Sequence, residues 1–318
     1  MVRVNHDGKR FAVEGHKGPD GFRALLKWQM SGARARWPDR VENRTYASPP
    51  ERVEGPDLRA TWIGHSTVLI QTAGLNILTD PFLSERASPL SFAGPRRVRP
   101  AALSAKALPP IDIILLSHNH YDHLDMAALR EIASHHAPRV VTPAGNARLV
   151  KKASASYRIA ELQWGQSTTH GDTRIHLTPA LHWSKRSLFD ANTALWGAFV
   201  IETAGGMIYF AGDTGFGTGE TFRAVRAEFG PARLSLLPIG AYEPRWFMHP
   251  QHMNPEEAVR AHAILESRTS LAIHHGTIQL TDEAIDAPVR DLAAALGDLA
   301  IDPRHFLVPD AGDVLIIG

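Results

Sequence analysis

The sequence predicts an α/β protein, one body of layered sheets and helices behind an irregular N-terminal extension. Three observations carry this. Short runs of β-branched residues and leucine recur along the chain, and some, such as 111–117, lack polar alternation, the pattern of strands buried on both faces. Helix-start signals fall between these runs. No short-period repeat interrupts the mixture.

The elements follow in order. The first 55 residues are rich in Arg, Gly and Pro and end in Ser48-Pro49-Pro50. Within them Phe22, Leu25, Leu26 and Met30 fall at helical spacing, with Arg23, Lys27, Arg34 and Arg36 nearby. Such a basic amphipathic helix can lie on a membrane surface; its short apolar stripe favours packing on the protein body instead. Thr61-Trp62-Ile63 and Val68-Leu69-Ile70 read as strands, Gly74 as a turn and 77–80 as the returning strand. The buried run 111–117 comes next. A helix is expected from Met126 to about His135, with Asp125 as its N-cap. Strands are expected over 139–142, 174–179, 195–203 and 207–211, the last two joined as a hairpin by Gly205-Gly206. After a buried strand at 234–237, Asn254-Pro255-Glu256-Glu257 opens a helix with Asn as cap and Pro in its first position. A strand over 271–274, a helix over 282–296 and a last strand at Val314–Ile317 complete the chain. The expected organisation is an extension, 1–55, and a single body, 56–318.

Composition narrows the chemistry. Of 318 residues 44% are hydrophobic, enough for a sizeable core. Net charge is +1, from 34 Lys+Arg against 33 Asp+Glu, and gives no support for a nucleic-acid partner. Without a cysteine there is neither a disulfide nor a thiolate ligand, so a metal must be held by nitrogen and oxygen. No apolar signal segment and no run of about 18 apolar residues is visible, so a cytoplasmic protein, or one peripheral to a membrane, is expected.

The most informative stretch is His118-Asn119-His120-Tyr121-Asp122-His123, at the end of the buried run 111–117. A lone histidine would carry no weight. Three imidazoles and a carboxylate within six residues crowd groups that titrate near neutrality, and a metal relieves that crowding. His118 and His120 can turn the same way from an extended backbone, while Asp122 and His123 lie beyond and can serve a second ion. The same device, an apolar strand ending in His or Asp, recurs at His182, Asp213 and His274. His274 and His275 are adjacent, so on an extended strand only one of them faces a given site.

These residues resemble the metallo-β-lactamase superfamily. Trp62-Ile63-Gly64-His65-Ser66-Thr67, Leu78-Thr79-Asp80-Pro81, His182-Trp183, Gly212-Asp213-Thr214-Gly215 and above all Tyr242-Glu243-Pro244-Arg245-Trp246-Phe247-Met248 resemble one branch, the N-acyl phosphatidylethanolamine-hydrolysing phospholipase D family. The likeness runs from about Trp62 to Thr277. It implies a four-layer αβ/βα sandwich with two zinc ions between the sheets. By motif, one ion falls to His118, His120 and His182 and the other to Asp122, His123 and His274, with Asp213 bridging. Iron or manganese suits the same donors. The implied activity is phospholipase D-type hydrolysis of a glycerophospholipid such as N-acyl phosphatidylethanolamine by a metal-bridging hydroxide. Asp213 and Asp122 take part in catalysis, and His252 orients substrate or assists the leaving group. Asp80 is placed to accept a ligand histidine's free N–H, or to cap the turn before Pro81. His65, Lys185 and Arg186 are expected along the pocket, whose wall changes where His275 replaces the family's usual tryptophan. A phospholipid or other phosphodiester is the expected partner, with peripheral membrane contact and a homodimer compatible with the sequence. A lactonase or thioesterase is the alternative use of the same site.

Overall fold

The computed structural model describes residues 2–16, 21–32 and 34–318 and, for Phe22, the backbone alone. Parts of the N-terminal extension and the Phe22 member of the apolar stripe therefore lie outside the described residues. The strands are β1 (Val4–His6), β2 (Phe11–Val13), β3 (Leu58–Gly64), β4 (Thr67–Thr72), β5 (Leu75–Thr79), β6 (Ile113–Leu115), β7 (Arg139–Pro143), β8 (Arg158–Leu162), β9 (Ser167–His170), β10 (Thr173–Thr178), β11 (Ala198–Thr203), β12 (Gly206–Phe210), β13 (Ala232–Pro238), β14 (Thr269–Ile273), β15 (Phe306–Leu307) and β16 (Val314–Ile317). The helices are α1 (Phe22–Gln29), α2 (Met126–His135), α3 (Ala147–Ala153), α4 (Glu220–Phe229), α5 (Arg245–Met248), α6 (Pro255–Ile264) and α7 (Ala287–Asp298).

Two seven-stranded mixed sheets make the body, ordered β16-β3-β4-β5-β6-β7-β8 and β15-β14-β13-β12-β11-β10-β9. Their strands explain the unalternated apolar runs, because both faces are buried. In β6, Ile113 and Leu115 meet Ile208, Phe210, Leu236 and Ile273 of the other sheet. The intervening Ile114 turns outward onto Leu129 and Ile132 of α2 and Val150 of α3. Likewise Tyr209 of β12 leaves the middle layer to pack with Phe222 of α4, Val259 of α6 and Leu292 of α7. Helix, sheet, sheet, helix is thus the layer order, the four-layer sandwich expected from the motifs.

The expected caps form. The Asp125 carboxylate accepts from the N–H groups of Ala127 and Ala128, and Asn254 and Glu257 close a capping box with Pro255 at the start of α6. Several boundaries move. The strand expected over 111–117 shrinks to β6, and the segment 195–197 precedes β11 as a connection in which Leu195 N–H donates to Ala144 O. The helix expected from 282 begins at Ala287. Asp282 and Glu283 are spent elsewhere: Asp282 accepts from Trp28 Nε1 at 2.8 Å, and Glu283 Oε1 accepts from Ala241 N–H at 2.7 Å. The hairpin β1–β2 and the elements α3, β8, β9, α4, α5 and β15 carried no expectation.

The extension is strapped to the body. Trp28 of α1 stacks on Phe247 of α5 at 5.2 Å, Ala35 N–H donates to Asp282 O at 2.8 Å, and Trp37 Nε1 donates to Glu283 O at 2.8 Å. Farther on, Val41 N–H donates to Val98 O and Asn43 Nδ2 to Pro100 O.

Candidate metal centre

Four strand ends converge at one rim of the sandwich. The turn 118–123 follows β6, His182 follows β10, Asp213 follows β12 and His274 follows β14. β14 stops at Ile273, and His274 takes a left-handed φ of +61°, which turns its ring into the rim. All seven residues named from the sequence meet there. Asp213 Oδ2 is the hub, 3.2 Å from both His123 Nε2 and His274 Nε2, 3.8 Å from His182 Nε2 and 4.0 Å from His118 Nε2. His120 Nδ1 lies 2.8 Å from His118 Nε2 and 3.2 Å from His182 Nε2. On the other side, Asp122 Oδ2 stands 3.4 Å from His123 Nε2 and 3.6 Å from His274 Nε2. Two donor groups therefore lie on either side of Asp213.

Outer partners decide which ring nitrogens are bare. Asp80 is fully buried and receives Ser117 N–H at 2.7 Å, Ser117 O–H at 2.5 Å and His123 Nδ1–H at 2.6 Å. Burial pushes this carboxyl up from its usual range, with His123 and Ser117 opposing. Three donors converge on it, two of them on Oδ2, and this favours the ionised form, so Asp80 acts as an acceptor. Ser117 gives its proton to Asp80, so its oxygen accepts from His118 Nδ1–H at 2.9 Å. His182 Nδ1–H donates to Gln251 O at 3.1 Å. In each case a proton sits on Nδ1 and Nε2 points at the hub, and on neutral His118 and His182 that nitrogen carries the lone pair.

The electrostatics follow from burial. His118 is held well below its ordinary value, His182 near 3 and His120 near 4, because burial penalises the imidazolium and neighbouring rings repel it. Asp122 and Asp213 stay well below the carboxylate range: burial would raise them, but His123 and His274 overrule it. His123 is pushed well above neutrality and His274 to about 9; burial opposes this and the two carboxylates win. Two buried carboxylates demand cations, and these rings meet that demand in the bare protein. His120 Nε2, His123 Nε2, His274 Nε2 and Asp213 Oδ1 are buried without a hydrogen-bond partner. His123 Nε2 and His274 Nε2 flank Asp213 Oδ2, and once deprotonated they and the neutral rings of His118, His120 and His182 are a donor set that fits a metal; N/O donors suit zinc, iron or manganese alike.

A cavity of about 460 Å³ opens over His120, Asp122, Asp213 and His252, walled by Leu25 and Trp28 of α1, Phe247 and Met248 of α5, and Leu280. A second, of about 770 Å³, lies beyond Trp183 and Lys185, against Tyr121, Arg186 and Leu188. His252 faces the first cavity with Nδ1 4.0 Å from Asp213 Oδ2, and burial holds it near 3. Lys185 lies at the junction of both cavities. Arg186 lines the second cavity while clamping the donor turn: its Nη1 donates to Asn119 O at 2.9 Å and Leu124 O at 2.7 Å, and its guanidinium lies 4.0 Å over the Tyr121 ring.

Two expectations are corrected. His65 does not line either cavity; it is buried behind Asp122, because its two-residue turn points it down into the rim. His275 does not remodel the pocket wall: it is stacked on Trp62 at 4.8 Å, with ring planes 11° apart, away from both cavities. The contribution of Leu25 and Trp28 to the cavity was missed, since nothing in their helical spacing tells which part of the body α1 covers.

A family profile for the Beta-lactamase superfamily domain matches residues 75–275. N-acyl-phosphatidylethanolamine-hydrolyzing phospholipase D 1 of Caenorhabditis elegans is 39% identical over 269 residues, covering 81% of this chain and 75% of that one. The mitochondrial protein of the same name from Saccharomyces cerevisiae is 36% identical over 238 residues, 73% of this chain and 50% of that one. Among solved structures, a possible metal-dependent hydrolase from Veillonella parvula has a TM-score of 0.67 at 18% identity, covering 81% of this chain and 99% of that chain. An isothiocyanate hydrolase from Delia radicum gut bacteria has a TM-score of 0.64 at 22% identity, covering 81% and 98%; both likenesses concern the fold. Profile, relatives and four-layer architecture agree: the chain belongs to the metallo-β-lactamase superfamily, as a metal-dependent hydrolase akin to the N-acyl-phosphatidylethanolamine-hydrolysing phospholipases D.

Proposed function

We propose that this chain is a phosphodiesterase of the phospholipase D type, hydrolysing glycerophospholipids such as N-acyl phosphatidylethanolamine to phosphatidic acid and the free N-acyl amino alcohol. The observation that carries the reading is the seven-donor cluster at the floor of an apolar-walled cavity of about 460 Å³. A phosphate head at that floor would leave its acyl chains against Leu25, Trp28, Phe247, Met248 and Leu280. The surface carries exposed apolar side chains, of which Leu188 borders the second cavity. Phe92, Leu188 and Phe189 are 78%, 82% and 81% exposed, and Lys27 lies 4.7 Å over the Trp246 ring. Exposed apolar groups with nearby cations suit a lipid surface. Among the described residues no helix is long and apolar enough to cross a membrane, so the contact would be peripheral. The names printed for the worm and yeast relatives point to the same substrate.

In this reading His118, His120 and His182 would hold one ion, Asp122, His123 and His274 the other, and Asp213 would serve both. Such ions would supply Lewis acidity to the phosphate and lower the pKa of water to about 7. The chain's residues do the rest. Asp80, Ser117 and Gln251 O fix the donor tautomers. Trp183 and the α1–α5 wall keep bulk water from the floor. His252, neutral at physiological pH, would accept a proton from the attacking water and return it to the departing head-group oxygen when its bond to phosphorus breaks.

The test is to assay the zinc-loaded protein against N-acyl phosphatidylethanolamine in mixed micelles, bis(p-nitrophenyl) phosphate, a lactone and a thioester. Release of phosphatidic acid is the expected result. Turnover of the lactone or thioester alone would replace the phosphodiesterase reading with the carbonyl hydrolase one.

A further inference from the structure

From this geometry we infer that His65 is a positioning residue, which holds the Asp122 carboxylate in register for the second ion. The inference rests on the metal reading above and adds a residue to it.

The argument starts at the backbone. His65 and Ser66 form the two-residue turn between β3 and β4, where Gly64 pairs with Thr67. The φ of His65 is +54°, in the left-handed region that strains any residue with a Cβ, and Gly, Asn or Asp are the usual occupants of such turns. A strained residue persists where its surroundings over-determine it. Here they do. His65 N–H donates to Thr277 Oγ1 at 2.9 Å, and His65 O accepts from Trp62 Nε1 at 2.7 Å and from His274 N–H at 3.0 Å. The turn that carries His65 therefore also fixes the backbone of His274.

The side chain explains why histidine stands there. The residue is 1% exposed, packed edge-on to Phe82 at 5.8 Å and tilted over His274 at 4.1 Å. Its Nε2 lies 2.9 Å from Asp122 Oδ2, nearer than His123 Nε2 at 3.4 Å or His274 Nε2 at 3.6 Å. An ionised carboxylate only accepts, so His65 Nε2 carries the proton and donates it. A nitrogen that donates has no lone pair for a cation. His65 therefore stands behind the donors, although its ring nitrogen falls within the same 4.8 Å group as Asp122, His123 and His274. It completes a pattern: Asp80 orients His123, Ser117 orients His118, Gln251 O orients His182, and His65 orients Asp122.

Zinc alone, titrated by chelator competition, tests this on the wild type, His65→Asn and His65→Gln. Asn suits the left-handed turn but is too short to reach Asp122. We expect affinity for one of two zinc equivalents to fall about 10–100-fold, whatever the metal-free form loses in melting temperature with the bond to Asp122. Gln extends an amide N–H about as far as the imidazole does, and should restore that affinity. A merely structural role would lower the metal-free melting temperature and leave both affinities unchanged. Unchanged zinc affinities in His65→Asn, or failure of a well-folded Gln variant to restore them, would overturn the inference. Fewer than two zinc equivalents in the wild type would instead overturn the two-metal reading beneath it.

Discussion

Asp80→Asn removes a charge without removing a shape. Three donors converge on this buried carboxylate, from Ser117 N, Ser117 Oγ and His123 Nδ1, at 2.7, 2.5 and 2.6 Å. In the variant Oδ1 still accepts from Ser117 N, but an amide NH₂ now faces Ser117 Oγ and His123 Nδ1, which both have protons to give. Ser117 must turn its proton elsewhere, and His123 must give up its Nδ1 proton, which leaves the remaining one on Nε2, the nitrogen meant for metal. Hydrogen bonds to charged groups are worth about 1.5–3 kcal/mol each, so losing one outright and weakening another removes about 2–4 kcal/mol from the metal-free protein. At roughly 2 °C per kcal/mol for a chain of this size, its melting point should fall by about 4–8 °C. Loss of the outer partner should also weaken zinc binding by about 10–100-fold, or about 1.4–2.7 kcal/mol. Differential scanning fluorimetry of the chelated protein gives the first quantity, and competition with a chromophoric chelator the second. Zinc affinity within twofold of wild type would refute the tautomer argument, whatever happened to the melting point.

Asp213→Asn should cut turnover of any substrate by more than about a thousandfold with the fold intact by circular dichroism, because one oxygen serves both donor groups; near-normal activity would remove Asp213 from the site. Trp28→Ala opens the cavity wall and breaks the bond to Asp282, so kcat/KM should drop on the order of tenfold for a long-chain lipid and little for bis(p-nitrophenyl) phosphate. An equal loss on both would mean that α1 supports the fold and leaves chain recognition to other residues. His262 of α6 is buried against Phe306, with Nδ1 2.8 Å from Ser270 Oγ, and burial, aided by His305, depresses it to about 4. Its contribution is therefore complete above pH 6.5, where both folded and unfolded forms are neutral, and is lost as pH falls from 6.5 towards 4, where only the unfolded chain takes up the proton. Wild type should accordingly lose on the order of 2–3 kcal/mol more than His262→Gln between pH 7.5 and 4.5 in urea titrations, and parallel pH curves would count against it.

The site was legible because its chemistry is written locally, as His or Asp at the ends of apolar strands. That pattern survives errors in strand length: β6 is shorter than the run 111–117, yet His118 lands where the longer strand would have put it. The sandwich was legible for a related reason, since β6 and β12 are apolar on both faces. Polar edge strands were not: Arg158–Leu162 and Ser167–His170 read like loops because edge positions expose alternate residues. Asp282 reads as the first residue of a helix until its partner, Trp28, is brought to it from the far end of the chain. The same limit hid the pocket-wall role of α1 and the place of His65, both set by tertiary contacts alone.

The donors are shared between the two sheets: the 118–123 turn belongs to one, and His182, Asp213 and His274 to the other. Neither sheet alone carries a full complement for two ions, so the cluster exists only once both halves have docked. Metal uptake would thus act as a latch that closes after assembly, tying residues from 118 to 274 into one ring. Before docking, the four donors of the 118–123 turn could hold one ion at most, and only the arrival of His182, Asp213 and His274 would complete a place for the second.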